Sequence, residues 1–445
     1  MMSQTLSLSD APAGLSSPVA SSAAGAMAHW RDAAIVLVLL IGGFAGSLLA
    51  QGQIDRRIYT RAAGEEVYFN ADVPRVYENM TDRSSDHFRT KVHPLFLIVS
   101  YPPVVALNKL LHIELARAVQ LTIACVAGLW LALFYCVLRV SGARMVDAIV
   151  FTLLLCSSGA TIAWLAVPET YLFGSISLLV PLLLVAVSYH RKVGWKTFVA
   201  ASAFSFSMTV TNWMAGIVAA FVSLPRRRAI RVTIYAFYAV VTVWGVQQAI
   251  FKDTPFFLDP SVERHVMLRP EWGGPANNLR SMLTHAMVLP EVGSMRLPGN
   301  PGAVDRGDYD ILTLQLSAPG SATAFGKPAV GLWIALLVVG AIGLIVAQPQ
   351  GRFRLLLGAL VVGQLTLHTI YGEEAFLYAL HYVPLLVLMA AWGARTRARP
   401  IVLGIACLLI GLAAYNNVRQ FQFLSAAVAA HCDLPENDVI ATERH

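Results

Sequence analysis

The feature that most constrains this chain is a series of apolar stretches long enough to cross a lipid bilayer, such as Ala118–Val137 and Gly331–Ala347. A hydrocarbon layer about 30 Å thick takes roughly 20 residues of helix. Inside it every backbone N–H and C=O must be bonded within the protein, so a spanning segment is a helix or part of a closed barrel. A barrel would show short segments of alternating polarity, and none are visible. Charged residues make up 13% of the 445 positions and apolar ones 56%, with a mean hydropathy of +0.61. A soluble domain carries about 25% charged residues. The expected fold is therefore all-α, a polytopic transmembrane helical bundle.

The net charge of +7 does not point to nucleic acid, because much of the excess sits in short clusters between apolar runs. Those clusters are Arg139/Arg144, Arg191/Lys192/Lys196, Arg226/Arg227/Arg228/Arg231, Arg352/Arg354 and Arg395/Arg397/Arg399. Short basic loops of this kind stay cytoplasmic. Of the five cysteines, Cys125, Cys136, Cys156 and Cys407 lie in apolar segments and Cys432 lies alone near the end. No pair has metal-ligand or redox spacing, so neither a metal site nor a disulfide framework is expected.

Apolar runs fall at about 33–50, 94–111, 118–138, 146–166, 170–188, 196–224, 231–250, 328–348, 355–371, 375–393 and 400–415. The run at 33–50 reads as a retained signal-anchor, since the segment before it is long and has Arg31 as its single Lys or Arg. If every run crossed once from a cytoplasmic N-terminus, the first two basic clusters would lie outside. Two changes remove the conflict. The run at 94–111 lies in the interface, as Pro94, Pro102 and Pro103 interrupt its helix bonding. The 29 residues of 196–224 form a hairpin of two short helices turning near Asn212, where Ser205, Ser207, Thr209 and Thr211 make the middle polar. The expectation is about 11 crossings plus a juxtamembrane interfacial helix. Residues 1–30, rich in Ser and Ala, form a disordered tail. Residues 31–416 form the membrane domain, with outer loops at 52–117 and 251–327, and 417–445 an extracytoplasmic tail. The setting is the cytoplasmic membrane, N-terminus inside.

The first outer loop holds seven acidic and seven basic residues over 52–92. It includes Tyr68-Phe69-Asn70-Ala71-Asp72-Val73-Pro74-Arg75, then Arg89-Thr90-Lys91-Val92-His93-Pro94-Leu95, and Glu114-Leu115-Ala116-Arg117 opens the next crossing. This order resembles the GT-C superfamily of polyprenyl-phosphate-sugar-dependent glycosyltransferases, which includes protein O-mannosyltransferases and lipid A aminoarabinose transferases. The resemblance covers roughly residues 33–225 as an organisation. It implies an essential acid at Asp72, a juxtamembrane helix beginning at His93, and transfer of a sugar from a polyprenyl-phosphate carrier to an extracytoplasmic lipid, glycan or protein. Two departures leave the sugar and metal dependence open: Asn70-Ala71-Asp72 carries one acid where the family often has a pair, and His93-Pro94-Leu95 lacks a second proline.

The chemistry supports the same residues independently. Glycosyl transfer needs a base for the acceptor hydroxyl and cations beside the leaving phosphate, which Arg binds in a planar, bidentate way. Asp72 is the candidate base, with Asp82 and Asp86 as competitors. Arg75, Arg89, Lys91 and His93 are candidate phosphate contacts. The bland alternative is a solvated Asp72–Arg75 loop pair. Glu169, Glu374 and His381 are candidates for an acceptor contact or a second acid. A helix-end charge favoured by the dipole and a helix-bonded histidine are the structural alternatives for Glu169 and His381.

The loop at 251–327 holds eight Gly and eight Pro, which argues against one helical domain. Its Asp305, Asp308 and Asp310 lack the other ligands of an EF-hand. Trp272 is read as an interfacial or sugar-stacking ring. No cofactor is expected, and no feature supports a divalent metal. The rival function is a multi-pass transporter or lipid flippase, against which no repeat between halves is found. A non-catalytic partner in a cell-envelope complex is a third reading.

Overall fold

The computed structural model describes residues 18–60, 66–257, 270–297, 309–347, 350–370 and 374–433. Among the described residues 76% are helical, with almost no strand, and seven helices are long and apolar enough to cross a membrane. Helix α1 (Pro18–Gln51) precedes the first loop, which contains α2 (Val73–Thr81). Next come α3 (Phe96–Leu111), α4 (Leu115–Val140), α5 (Met145–Ser157), α6 (Gly159–Trp164) and α7 (Tyr171–Val187). Helices α8 (Trp195–Met208), α9 (Trp213–Ser223) and α10 (Arg226–Ile250) follow. The second loop carries α11 (Gly274–Thr284) and an antiparallel hairpin of β1 (Gly293–Leu297) and β2 (Tyr309–Thr313). The chain closes with α12 (Gly326–Val346), α13 (Gly351–Ile370), α14 (Ala379–Ala391) and α15 (Arg399–Cys432).

Several sequence boundaries move. Within the tail expected over residues 1–30, helix α1 already runs from Pro18. The division at 416 falls inside α15, whose 34 residues continue to Cys432. At about 1.5 Å per residue that helix outruns a 30 Å layer, and its end is held by the first loop: Arg57 donates to the Cys432 carbonyl and pairs with Asp433. Ser158 splits the run at 146–166 into α5 and α6. Asp305 and Asp308 lie outside the described residues. Trp272 is 1% exposed, so its ring is neither interfacial nor open to a ligand.

The hairpin expected in 196–224 is present. The backbone turns extended at Thr209, and Val210–Asn212 form one 3-10 turn. Residues seven before and seven after the turn meet: a Cβ on Gly216 would collide with Ser202. Phe206 stacks on Trp213 at 4.2 Å between ring centres. At 14 and 11 residues these helices are short, and the break frees backbone groups at the buried residues Ser207, Met208 and Thr209. The first loop satisfies them. Leu95 N–H donates to the Ser207 carbonyl (2.9 Å), His93 Nδ1 to the Met208 carbonyl (2.8 Å), and Val210 N–H to the Val92 carbonyl (2.9 Å).

The break between α5 and α6 is handled the same way by the second loop. Gly159 and Ala160 donate to the carbonyls of Met287 and Ala286 (3.1 and 2.9 Å). Asn417 of α15 binds the Ser157 and Met287 carbonyls through Nδ2 and accepts from Leu289 N–H. The loops also join each other, since Leu312 N–H donates to the Val67 carbonyl and Phe69 N–H to that of Leu312.

At the opposite end of the bundle, Arg139 pairs with Asp32 (2.7 Å) and Arg399 with Asp147 (2.6 Å). The span containing α14 is the most enclosed, 89% buried, against 11% for that of α1. Helix α1 packs on α4 through Gly43 and Gly128, where a Cβ on Gly43 would stand 2.8 Å from the Gly128 Cα. Small residues allow that approach. Gly128→Val should therefore drive a side chain into the Leu40 carbonyl and cost about 1–3 kcal/mol. Thermal melting in detergent should show a clear drop for Gly128→Val and almost none for Gly42→Ala, which meets open space.

Candidate active site

Asp72 owes its position to a tight turn. Phe69 and Asn70 both take left-handed backbone angles, φ 54° and 58°. Such angles are costly for a bulky residue and persist where packing enforces them. Here the Phe69 ring is wedged among Tyr68, Trp164 and Phe376, with ring centres 4.9–5.9 Å apart. Tyr68 adds a hydroxyl bond to the Ala163 carbonyl (2.8 Å). The turn delivers Asp72 to the start of α2, with Pro74 in the first turn.

An aspartate there would ordinarily cap the helix, yet its side chain makes no capping bond. Its oxygens go instead to two guanidiniums, Oδ1 to Arg75 Nη1 (2.5 Å) and Oδ2 to Arg89 Nε (2.7 Å). The side chains of Asp72, Arg75 and Arg89 are 8%, 16% and 23% exposed, so this is not a solvated loop pair. Burial alone would raise the Asp72 carboxyl, but Arg89 and Arg75 outweigh it and hold it below the usual carboxylate range.

Glu66 is a group that sequence reasoning missed. Its carboxyl lies against Asp72, and enclosure together with the Asp72 charge pushes it well above its ordinary value. The two carboxyls share a hydrogen bond, an arrangement that favours the proton on Glu66 and the charge on Asp72. The loop thus does carry an acid pair, separated by six positions and closed up by the turn at Phe69-Asn70.

Glu169 and Thr170, between α6 and α7, meet this cluster. Arg89 Nη2 reaches the Tyr171 hydroxyl at 3.3 Å. Glu169 is 2% exposed. Burial and the Asp72 charge push its carboxyl up to about 7, against the opposing pull of Arg89 and the Thr170 bonds. His93 stands beside them, with Nε2 at 3.1 Å from the Thr170 hydroxyl. Its Nδ1 donates to a backbone carbonyl, and burial together with the Arg89 charge lowers it to about 3, so it is a neutral imidazole. A narrow recess lined by Val76, Asn79, Arg89, Thr90, His93, Phe96 and Thr170 opens beside these groups.

The sequence matches no family model, and no curated protein is significantly similar to it. The site must therefore be read from its own geometry.

Other expected residues sit elsewhere. Lys91 lies over the Phe88 ring at 4.8 Å rather than on Asp72. Asp82 caps an exposed turn at Ser84 (2.8 Å), and Asp86 is exposed and approaches Arg75 only to 3.6 Å. Glu374 is a latch for the second loop. It accepts from the Thr313 hydroxyl and from the N–H groups of Leu314 (3.2 Å) and Phe376 (3.2 Å).

His381 is completely enclosed in α14, 5.2 Å from the Tyr171 ring, close against Gly174, where a Cβ would collide with its Nε2. Neither ring nitrogen has a hydrogen-bond partner among the described residues. His368 of α13, also missed, lies 6.0 Å from it and stacks on Tyr378 at 4.2 Å. The general rule that flags ionisable groups at membrane depth applies to it as to His381. Among the described residues no three His, Cys or acidic side chains form a metal-holding group.

Asp72→Asn leaves two buried guanidiniums without their counter-charge, and removing one partner of such a set costs about 3–5 kcal/mol. Thermal melts in detergent should fall much further for Asp72→Asn than for Asp86→Asn. Equal melts would contradict the pairing.

Proposed function

We propose that this chain is a membrane glycosyltransferase of the GT-C kind, taking a sugar from a polyprenyl-phosphate carrier and passing it to an extracytoplasmic acceptor. The observation that carries the reading is the enclosed cluster of Asp72, Arg75, Arg89 and Glu169 at one end of an apolar bundle. Leaving-group departure puts negative charge on a phosphate, and guanidiniums fixed before the reaction stabilise it without reorganising. Each has five N–H donors, more than Asp72 uses. The carboxylates, Asp72 and Glu169, are the candidates for the acceptor's proton.

The topology in this reading has eleven crossings, counting α5 with α6 as one, α8 and α9 separately, and α3 as interfacial. The N-terminus is cytoplasmic. It is supported by the grouping of contacts into two polar ends, with the basic clusters Arg139, Arg395 and Arg399 at one and Asp72, Glu169 and Glu374 at the other. It is also supported by the apolar exposure of α3 at Val99, Leu110 and Leu111. One observation favours the rival transporter: helices broken within a crossing are a transporter habit, and the α5–α6 break at Ser158 is one.

Purified protein with labelled polyprenyl-phosphate sugars separates the two. Transfer to an acceptor is expected, with kcat/KM falling about 100- to 1,000-fold in Arg89→Ala and staying near the wild-type value in Arg83→Ala, an exposed position of the same loop. Movement of the lipid across vesicles with the sugar bond intact would favour the transporter.

A further inference from the structure

We propose that Glu169 is the residue that takes the acceptor's proton, while Asp72 is a fixed counter-charge that positions Arg75 and Arg89; this rests on the transferase reading above. Both oxygens of Asp72 are already committed, one to each guanidinium, and Glu66 adds a hydrogen bond. A carboxylate so occupied has few lone pairs to offer and little affinity for a proton.

Glu169 is arranged the opposite way. Its Oε1 is gripped by the Thr170 N–H (2.9 Å) and the Thr170 hydroxyl (2.8 Å), which fixes the plane of the carboxyl group. Its Oε2 is buried and has no hydrogen-bond partner among the described residues. A buried, unpartnered oxygen is costly unless something else meets it, and an incoming hydroxyl is the group that the reaction supplies. Thr170, which grips Oε1 of Glu169, lines the recess together with Arg89 and His93, so the carboxyl group is one residue removed from that wall, and an acceptor hydroxyl reaches Oε2 only if Thr170 gives way.

The charged and titratable groups facing it are Asp72 and Arg89 from the first loop and Tyr171 beside it; Tyr378, ahead of α14, acts on Tyr171 and Arg89, and His93, ahead of α3, acts with Arg89 and meets Thr170. Burial raises its proton affinity most, Asp72 adds to that, and Arg89 and the Thr170 bonds lower it, leaving it at about 7. A base works best when its affinity lies near the operating pH.

The acceptor O–H proton passes to Glu169 Oε2, and the acceptor oxygen forms a bond to the anomeric carbon. The bond from that carbon to the phosphate oxygen breaks, and its electron pair leaves with the polyprenyl phosphate opposite Arg89 and Arg75.

The test is the pH profile of kcat/KM with a polyprenyl-phosphate sugar, for wild type, Glu169→Gln, Glu169→Asp and Asp72→Asn. Glu169 is neutral below its pKa and active above it, so wild-type kcat/KM should climb with pH and level off near 7. Asp72→Asn removes a raising charge, so its bend should move to lower pH along with a loss of rate. Glu169→Gln should lose about 100- to 10,000-fold and the acid limb with it, and Glu169→Asp should regain part of both. A wild-type limb that levels off well below pH 7 overturns the proposal however the variants fold, as does full turnover by Glu169→Gln. A wild type that transfers no sugar removes the transferase reading itself, and this inference falls with it.

Discussion

A helix that stops among buried side chains leaves carbonyl and amide groups that another part of the same chain must satisfy. The break at Met208–Thr209, buried with Ser207, sets this condition, and the first loop meets it. His93, Leu95 and Val92 must come down to the tip of the α8–α9 hairpin, since their backbone and ring groups complete its hydrogen bonding. The consequence reaches further than the tip. Once His93 is pinned there, Arg89 four residues earlier is carried over the start of α7, where Tyr171 and Asp72 receive it. The site's position is thus fixed by backbone satisfaction before any catalytic demand is considered.

Electrostatics then separates residues of similar chemistry. Three carboxyls, those of Glu66, Asp72 and Glu169, lie close enough to feel one another. Placed together without cations they could not all ionise. Arg75 and Arg89 resolve the conflict by favouring one of them, Asp72, and that charge in turn makes its neighbours harder to ionise. Environments that push paired acids apart are how one site holds both an ionised and a protonatable carboxyl. The guanidiniums gain as well, because a buried cation without a partner would be expelled or would unfold the loop.

The helical membrane character and the turn in 196–224 were legible from the sequence because they rest on patterns that survive without three-dimensional detail. Run length gave the helices, and the basic clusters required the extra turn near Asn212. Asp72, Arg75, Arg89, His93 and Glu169 were picked out by residue type and order, and the structure brings them together. Lys91 and Glu374 share the type but not the place, since spacing along a loop carries no information on where its side chains point. Glu66 was hidden for a specific reason. The reversal at Phe69-Asn70 uses left-handed angles on residues other than glycine, so no turn signal marks it, and a search for adjacent acids passes over a pair six positions apart. The β1–β2 hairpin was equally silent, and the ends of α1 and α15 ran past the limits set by hydropathy.

The way the loops are tied decides how a ligand can arrive. The first loop is bonded to β2 through Val67 and Phe69, and β2 is bonded to the bundle through Glu374 at Thr313 and Leu314. The roof over Asp72 is therefore cross-braced from both loops, and lifting it would break several buried hydrogen bonds together. The recess opens instead between α2 and the start of α3, where Val76 and Phe96 stand beside Arg89 and His93. Apolar walls next to a guanidinium suit a molecule with a hydrocarbon tail and a phosphate head. In the transferase reading, a donor dissolved in the bilayer would approach Arg89 along α3, whose outer residues are apolar, and the narrow recess between α2 and α3, rather than the braced roof, is the part that would widen to admit its phosphate.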